Sequence, residues 1–361
     1  MWRNDSSRKK SSSKQTLKER DVRHVRIEDV SALYEIYEFQ EEIGHGSFGI
    51  VVSVVEKQTN ENYAVKIVNK YSTVVHQLSK VYREIKILKT VNHPNIVYLY
   101  KVFESAKKIY MVMERCRGNL KEVFENKKPF SEKTTKKIIK QLANAVYYLH
   151  KNQIVHRDIK MENILLSKNP DNPTDLYFIK LSDFGLSVIK AGSFIQGMMH
   201  DRCGTMLYMA PEILLERTYS ELCDVWSIGI ILYTLLCAKY PFADRHQEEL
   251  INQICSKDPD YSPIELTPDA VDLLKCILVK DPVQRSTALE ILKHPWLMEH
   301  KLKSRKDETI IDYMKKWKSE MLLPGHDSDW MKISESDISM LTGLSINIGT
   351  TNSMKSGTSH V

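Results

Sequence analysis

Glycine and proline are scarce, 13 and 12 of 361 residues, and the six cysteines stand far apart. The first scarcity excludes a collagenous or low-complexity chain. Cys116, Cys203, Cys223, Cys237, Cys255 and Cys276 form no close pairs and have no histidines beside them. Their spacing therefore encodes neither a zinc site nor a disulfide framework, and reduced thiols in or near a core are expected. No apolar run suffices for a bilayer: Val225 to Ala238 is too short, contains Ser227 and Thr234, and reads as a buried helix. Met1 to Arg26 lacks the apolar core of a secretory signal. A soluble cytoplasmic protein is expected, with the nucleus as a second destination.

An excess of one charge is also missing from most of the chain. Residues 1–26 hold nine Lys/Arg against three Asp/Glu, which accounts for the whole net charge of +6; the other 335 residues carry 43 of each sign. A balanced body lacks the electrostatic drive for nucleic-acid binding, so no nucleic-acid or membrane partner is expected for it. The basic, Ser-rich start is expected to be a disordered tail over residues 1–36. With 42% hydrophobic and 27% charged residues, the remainder can bury a sizeable core.

Two β-branched runs, Ile50 to Val55 and Tyr63 to Val68, flank the turn Asn60-Glu61-Asn62 and predict a hairpin. Val81, Ile85 and Leu88 predict a helix over Val74 to Lys89, and Val97 to Phe103 and Ile109 to Met113 predict two more strands. After Asn119 the pattern becomes helical, with helices expected at Ser131 to His150, Asp224 to Ala238, Pro268 to Leu278 and Thr287 to Leu292. This order predicts an α+β protein with a β-rich N-lobe, 37–113, a helical C-lobe, 117–297, and a site between them. A C-terminal tail, 298–361, carries one short expected helix with an apolar stripe from Ile310 to Met321. Asp307, Glu308, Asp312 and Glu320 dilute its lysines, which makes it a poor calmodulin target.

Gly44-His45-Gly46-Ser47-Phe48-Gly49-Ile50-Val51 is a GxGxxGxV loop, whose glycines let backbone amides approach a phosphate chain. It leads into a strand, whereas a dinucleotide-binding loop leads into a helix. Lys66 follows at the centre of the next strand; if buried it needs an anionic partner, and Glu84 on the helix offers one. Farther on come His156-Arg157-Asp158-Ile159-Lys160-Met161-Glu162-Asn163, Asp183-Phe184-Gly185 and Ala210-Pro211-Glu212. With these motifs in this order, the chain resembles the eukaryotic protein kinase family from about Tyr37 to Leu297. Lys160 and Gly204-Thr205 resemble the serine/threonine type. Cys203-Gly204-Thr205, Asp224 to Gly229 and His294-Pro295-Trp296-Leu297 resemble the calcium/calmodulin-dependent kinase-like group.

The resemblance implies a two-lobed fold, ATP and Mg²⁺ as cofactors, and protein Ser/Thr hydroxyls as substrates, with a pseudokinase scaffold as the alternative. It assigns Asp158 the substrate hydroxyl proton, Lys160 the transferring phosphoryl group, and Lys66, oriented by Glu84, the α- and β-phosphates. Asp183 and Asn163 would hold metal. Gly44, Gly46 and Gly49 would cover the phosphates. Val51, Ala64 and Leu165 would enclose the base, with Met113 as gatekeeper and the backbone of Glu114 and Cys116 bonding its edge. His156, Phe184, Leu88 and Leu99 resemble an apolar column anchored by Asp224, and Glu212 resembles the partner of Arg285.

Three departures bear on specificity and control. Asn119 and Thr234 stand where related kinases that prefer basic substrates carry acids, leaving Glu162 as the remaining carboxylate. Asp201 stands where related kinases carry a phosphorylated threonine, so it is expected to pair with Arg157; Ser187, Ser193 and Thr205 are candidate phosphosites, with Thr205 expected rather to position Asp158. Finally, Asn169 to Pro173 lengthens the stretch between Asn163 and Asp183 and is expected to extend a hairpin tip.

Overall fold

A computed structural model of the chain describes residues 18–46, 49–71, 75–190, 205–262 and 266–298. The small lobe begins earlier than the sequence suggests. Strand β1 (Arg23–Arg26) and helix α1 (Ser31–Ile36) fall within 1–36, the stretch expected to be disordered. Composition averaged over that stretch hid two apolar residues that dock: Val22 and Leu33 are buried. The expectation is thereby corrected for the part of that stretch that is described.

Strands β2 (Tyr37–Gly46), β3 (Gly49–Glu56) and β4 (Asn62–Asn69) follow, then helix α2 (Val75–Thr90) and strands β5 (Leu99–Glu104) and β6 (Lys108–Glu114). They form one sheet in the order β1-β5-β6-β4-β3-β2, antiparallel except for the parallel β1/β5 pair. The expected hairpin is β3/β4, with Asn60 at φ +59°, a conformation Asn tolerates. Strand β5 starts at Leu99 and not at Val97, because Ile96 and Val97 are drawn to the other lobe. Ile96 bridges Leu181, and the Val97 N–H donates to Leu181 O at 3.0 Å.

The large lobe opens with β7 (Gly118–Asn119), α3 (Leu120–Lys127) and α4 (Glu132–Lys151). Ser131 caps α4, whose Ile138, Ile139, Leu142, Val146 and Leu149 face inward. Short strands β8 (Ile154–Val155), β9 (Ile164–Ser167), β10 (Phe178–Leu181) and β11 (Val188–Ile189) carry the loops of the cleft. The remaining helices are α5 (Pro211–Leu214), α6 (Leu222–Cys237), α7 (Gln247–Ser256), α8 (Pro268–Ile277) and α9 (Ala288–Lys293). Helix α6 is buried from Cys223 to Cys237 and ends at Ala238 with φ +55°. Thr267 caps α8 ahead of Pro268, and Thr287 with Glu290 closes a capping box on α9. Between β9 and β10, the Asn169 and Asn172 side chains accept from the backbone two residues on, closing the expected extended tip. Among the described residues, no helix is long and apolar enough to cross a membrane.

Candidate active site

The glycine loop is a hairpin, as its strand context predicts: Gly44 pairs with Val51, His45 with Ile50 and Gly46 with Gly49. A Cβ on Gly49 would sit 2.0 Å from Ile67 O, so β3 can lie on β4 here only without a side chain. A Cβ on Gly44 would meet nothing within 4 Å. Below this hairpin lies a cleft of about 860 Å³. Its walls include Val51, Ala64, Met113 and Leu165, as the motifs imply, and also Ile43 and Val97, which motif reading missed. Val97 could have been found from the pattern, since it begins a predicted strand, and Ile43 directly precedes the glycine motif.

Lys66 lies at the centre of β4 between β3 and β6, 4% exposed, and Glu84 on α2 is 2% exposed. The ammonium donates to both carboxylate oxygens, at 2.8 and 2.9 Å. Burial alone would pull the Lys66 pKa down, but the carboxylates of Glu84 and Asp183 outweigh it and hold the ammonium protonated above its usual range. For Glu84, burial and Asp183 push the carboxyl up, opposed by Lys66.

Across the cleft, Asp158 Oδ2 lies 2.8 Å from Lys160 Nζ and accepts from Asn163 Nδ2 at 3.0 Å. The Asn163 amide also donates to Asp158 O, so its nitrogen is committed and its oxygen is left as an acceptor. Thr205 Oγ1 donates to Asp158 Oδ1 at 3.3 Å and accepts from Lys160 Nζ at 2.9 Å. Arg157 and Asp183, on the two loops of this face, have φ +69° and +61°. Asp224, at the start of α6, anchors the first loop by accepting from the main-chain N–H groups of His156 (2.9 Å) and Arg157 (2.8 Å). Burial would raise the Asp224 carboxyl, but His150 Nε2 at 2.8 Å and these amides hold it below its usual range. His156 and Phe184 meet edge to face at 4.8 Å, and with Leu88 and Leu99 they are wholly buried. Arg285 forks onto Glu212 at 2.7 and 2.9 Å inside the large lobe.

At the hinge, the Glu114 N–H donates to Tyr98 O, while its carboxylate accepts from the Tyr98 N–H at 2.8 Å and meets Lys180 Nζ at 2.9 Å. Burial pushes the Cys116 thiol up to about 12, so it stays neutral.

Two expectations change. Ser187 has no exposed surface and its hydroxyl donates to His156 O, which removes it as a phosphosite of the folded chain. Glu162, expected to face basic substrates, is held by Lys121 at 2.9 Å. Asn119 is the cap of α3, in a box with Glu122, and Thr234 is buried, its hydroxyl donating to Ile230 O. The Arg157 guanidinium donates to Leu186 O and Tyr219 Oη. Asp201, Ser193, Cys203 and the Ile310–Met321 stripe lie outside the described residues.

Residues 37–297 match the protein kinase domain family. The chain is similar to serine/threonine-protein kinase 33 of Mus musculus, 41% identical over 304 residues, which are 82% of this chain and 62% of that protein. The protein of the same name from Bos taurus is 40% identical over 305 residues, with the same shares. Myosin light chain kinase A of Dictyostelium discoideum is 38% identical over 288 residues, 78% of this chain and 92% of its own length. The chain thus spans about 62% of the length of the first two relatives.

Proposed function

From the premise that this chain belongs to the protein kinase family, we propose that it is an active serine/threonine kinase, transferring the γ-phosphoryl group of ATP to protein hydroxyls. The observation that carries the reading is that one cleft is lined by the Lys66–Glu84 pair and by Asp183, Lys160 and Asn163, the last two of which hold Asp158. The donor set suits magnesium ATP. Asp183 and the Asn163 amide oxygen are the hard oxygen ligands Mg²⁺ takes, Lys66 is a fixed cation for phosphate, and Val51, Ala64 and Leu165 are apolar walls for a base. Gly44, Gly46 and Gly49 are assigned to the phosphates, and the main chain of Glu114 and Cys116 to the edge of the base.

Bound magnesium ATP supplies the phosphoryl group and neutralises part of its charge. Asp158 takes the proton of the incoming hydroxyl, its carboxylate held for that by Asn163 and Thr205. Lys160, bridging Asp158 and Thr205, supplies positive charge where the phosphoryl group moves. Glu84 keeps Lys66 from folding away into the sheet. With Glu162 engaged by Lys121, a strong basic consensus in the substrate is not expected. Nothing among the described residues favours the pseudokinase alternative. We assign the action to the cytoplasm.

Phosphate transfer from ATP to a randomised peptide array tests the reading. Asp158→Asn should lose about 10²–10⁴-fold in rate, the ordinary contribution of a positioned general base, with an unchanged melting temperature. Wild-type protein that labels no peptide better than Asp158→Asn would refute it.

A further inference from the structure

Arg20 lies upstream of the residues that match the family, yet it closes the helix that carries Glu84. The last carbonyls of an α-helix have no partner inside it. At the end of α2 two of them are taken from outside: the Arg20 main-chain N–H donates to Lys89 O at 2.7 Å, and its guanidinium Nη2 to Leu88 O at 2.6 Å. Nη2 also reaches Leu99 O in β5 at 3.4 Å, and the guanidinium lies 4.0 Å from the centre of the Tyr98 ring. A cation suits the negative end of a helix. Two residues on, Val22 is 7% exposed and joins the core that contains Val81, Ile85 and Leu88. Strand β1 then runs beside β5, placing His24 Nε2 2.8 Å from Glu104 Oε2, while Glu104 Oε1 accepts from the Tyr82 hydroxyl of α2 at 2.7 Å.

The segment therefore grips α2 on both sides of Glu84, at Leu88–Lys89 directly and at Tyr82 through Glu104. Leu88 is about one turn beyond Glu84, so any displacement of the helix end is passed to the carboxylate. We propose that residues 20–26 form a positioning strap that holds α2 where Glu84 meets Lys66, with Arg20 as the positioning residue. The proposal rests on the phosphotransfer reading above. It makes the catalytic rate depend on a segment outside the family-matched region.

The test uses the full chain with Arg20→Ala, Arg20→Lys, Glu84→Gln and the double variant Arg20→Ala/Glu84→Gln. Arg20→Ala should lower kcat at least roughly fivefold, the low end of ordinary coupling between sites. Because, among the described residues, Nε and Nη1 have no hydrogen-bond partner, the side chain's hydrogen bonds there run through Nη2, and Arg20→Lys should recover most of the rate. In the Glu84→Gln background Arg20→Ala should cost nothing further, since the group it positions is already gone. Hydrogen exchange should quicken in α2 and not in α6. Unchanged kcat in Arg20→Ala, or an equal further loss in the double variant, overturns the strap. A wild type inert toward every peptide refutes the phosphotransfer reading, and exchange in α2 of Arg20→Ala then decides the strap: quickening supports it and no change overturns it.

Discussion

The two walls of the cleft are built on different principles. On the large-lobe wall Asp158 is held by Asn163, Thr205 and Lys160, and its loop is anchored by main-chain bonds to the buried Asp224. Deeper still, Arg285 and Glu212 form a bidentate pair tied to the backbone at Val279 and Leu222. On the small-lobe wall the decisive contact is one pair of side chains, Lys66 and Glu84, and its geometry depends on where an entire helix sits. The large-lobe wall is fixed many times over. The small-lobe wall is set by the position of α2, and that is where control can act on the proposed transfer with least disturbance to the fold.

The sharpest way to break this contrast is to remove one partner from each buried pair. Glu212→Gln strands a guanidinium that cannot shed its charge, and the expected loss is about 3–5 kcal/mol in denaturant unfolding. Lys66→Met strands Glu84, whose carboxyl is already pushed up by burial and by Asp183, so it can take a proton. Its stability loss should be clearly smaller while activity falls; equal losses would erase the distinction.

A smaller effect is expected at the joint between the lobes. Burial, aided by Lys180, lowers His93 from an ordinary 6.5 to about 4, and its Nδ1 accepts from the Asn95 N–H at 3.0 Å, which requires a neutral ring. Above pH 6.5 neither the folded nor the unfolded form carries this proton. Between 6.5 and 4 only the unfolded chain takes it up, so stability falls on acidification. His93→Gln should flatten the denaturant midpoint measured from pH 6.5 to 5; an unaltered slope would show that this joint does not titrate.

The smallest expected effect is at the rim. Lys121→Ala breaks a half-exposed pair worth about 0.2–1 kcal/mol, leaving Glu162 free. Stability should hardly move, while kcat/KM for arginine-containing peptides rises relative to neutral ones. No change in that ratio would show that Glu162 does not face the substrate.

The residues of the candidate site were legible because each sits in a short motif whose proposed chemistry needs that residue type: Lys66 amid a β-branched strand, Asp158 and Asn163 five apart, Asp183 before Phe184-Gly185. The helices with a full apolar stripe, α2, α4 and α6, were legible for the same reason. Helix α7 was not, since Leu250 and Ile254 are its only buried residues. Nor was α3, whose cap Asn119 was read for a missing acid. The strap left the weakest signal. Val22 is a lone apolar residue among charges, and Arg20 acts through main-chain carbonyls 68 and 79 positions away, which no local pattern records. The pairing of Glu162 with Lys121 was hidden similarly, by a separation of 41 positions.

Arg157 and Asp183 hold the left-handed backbone, a region where such residues cost about 1–3 kcal/mol each. Glycine occupies that region without this cost. Selection for heat tolerance alone should therefore enrich Asp183→Gly, giving a hardier protein that has lost a carboxylate from the lining of the cleft. For this chain, durability and proposed chemistry pull against each other at a single backbone angle.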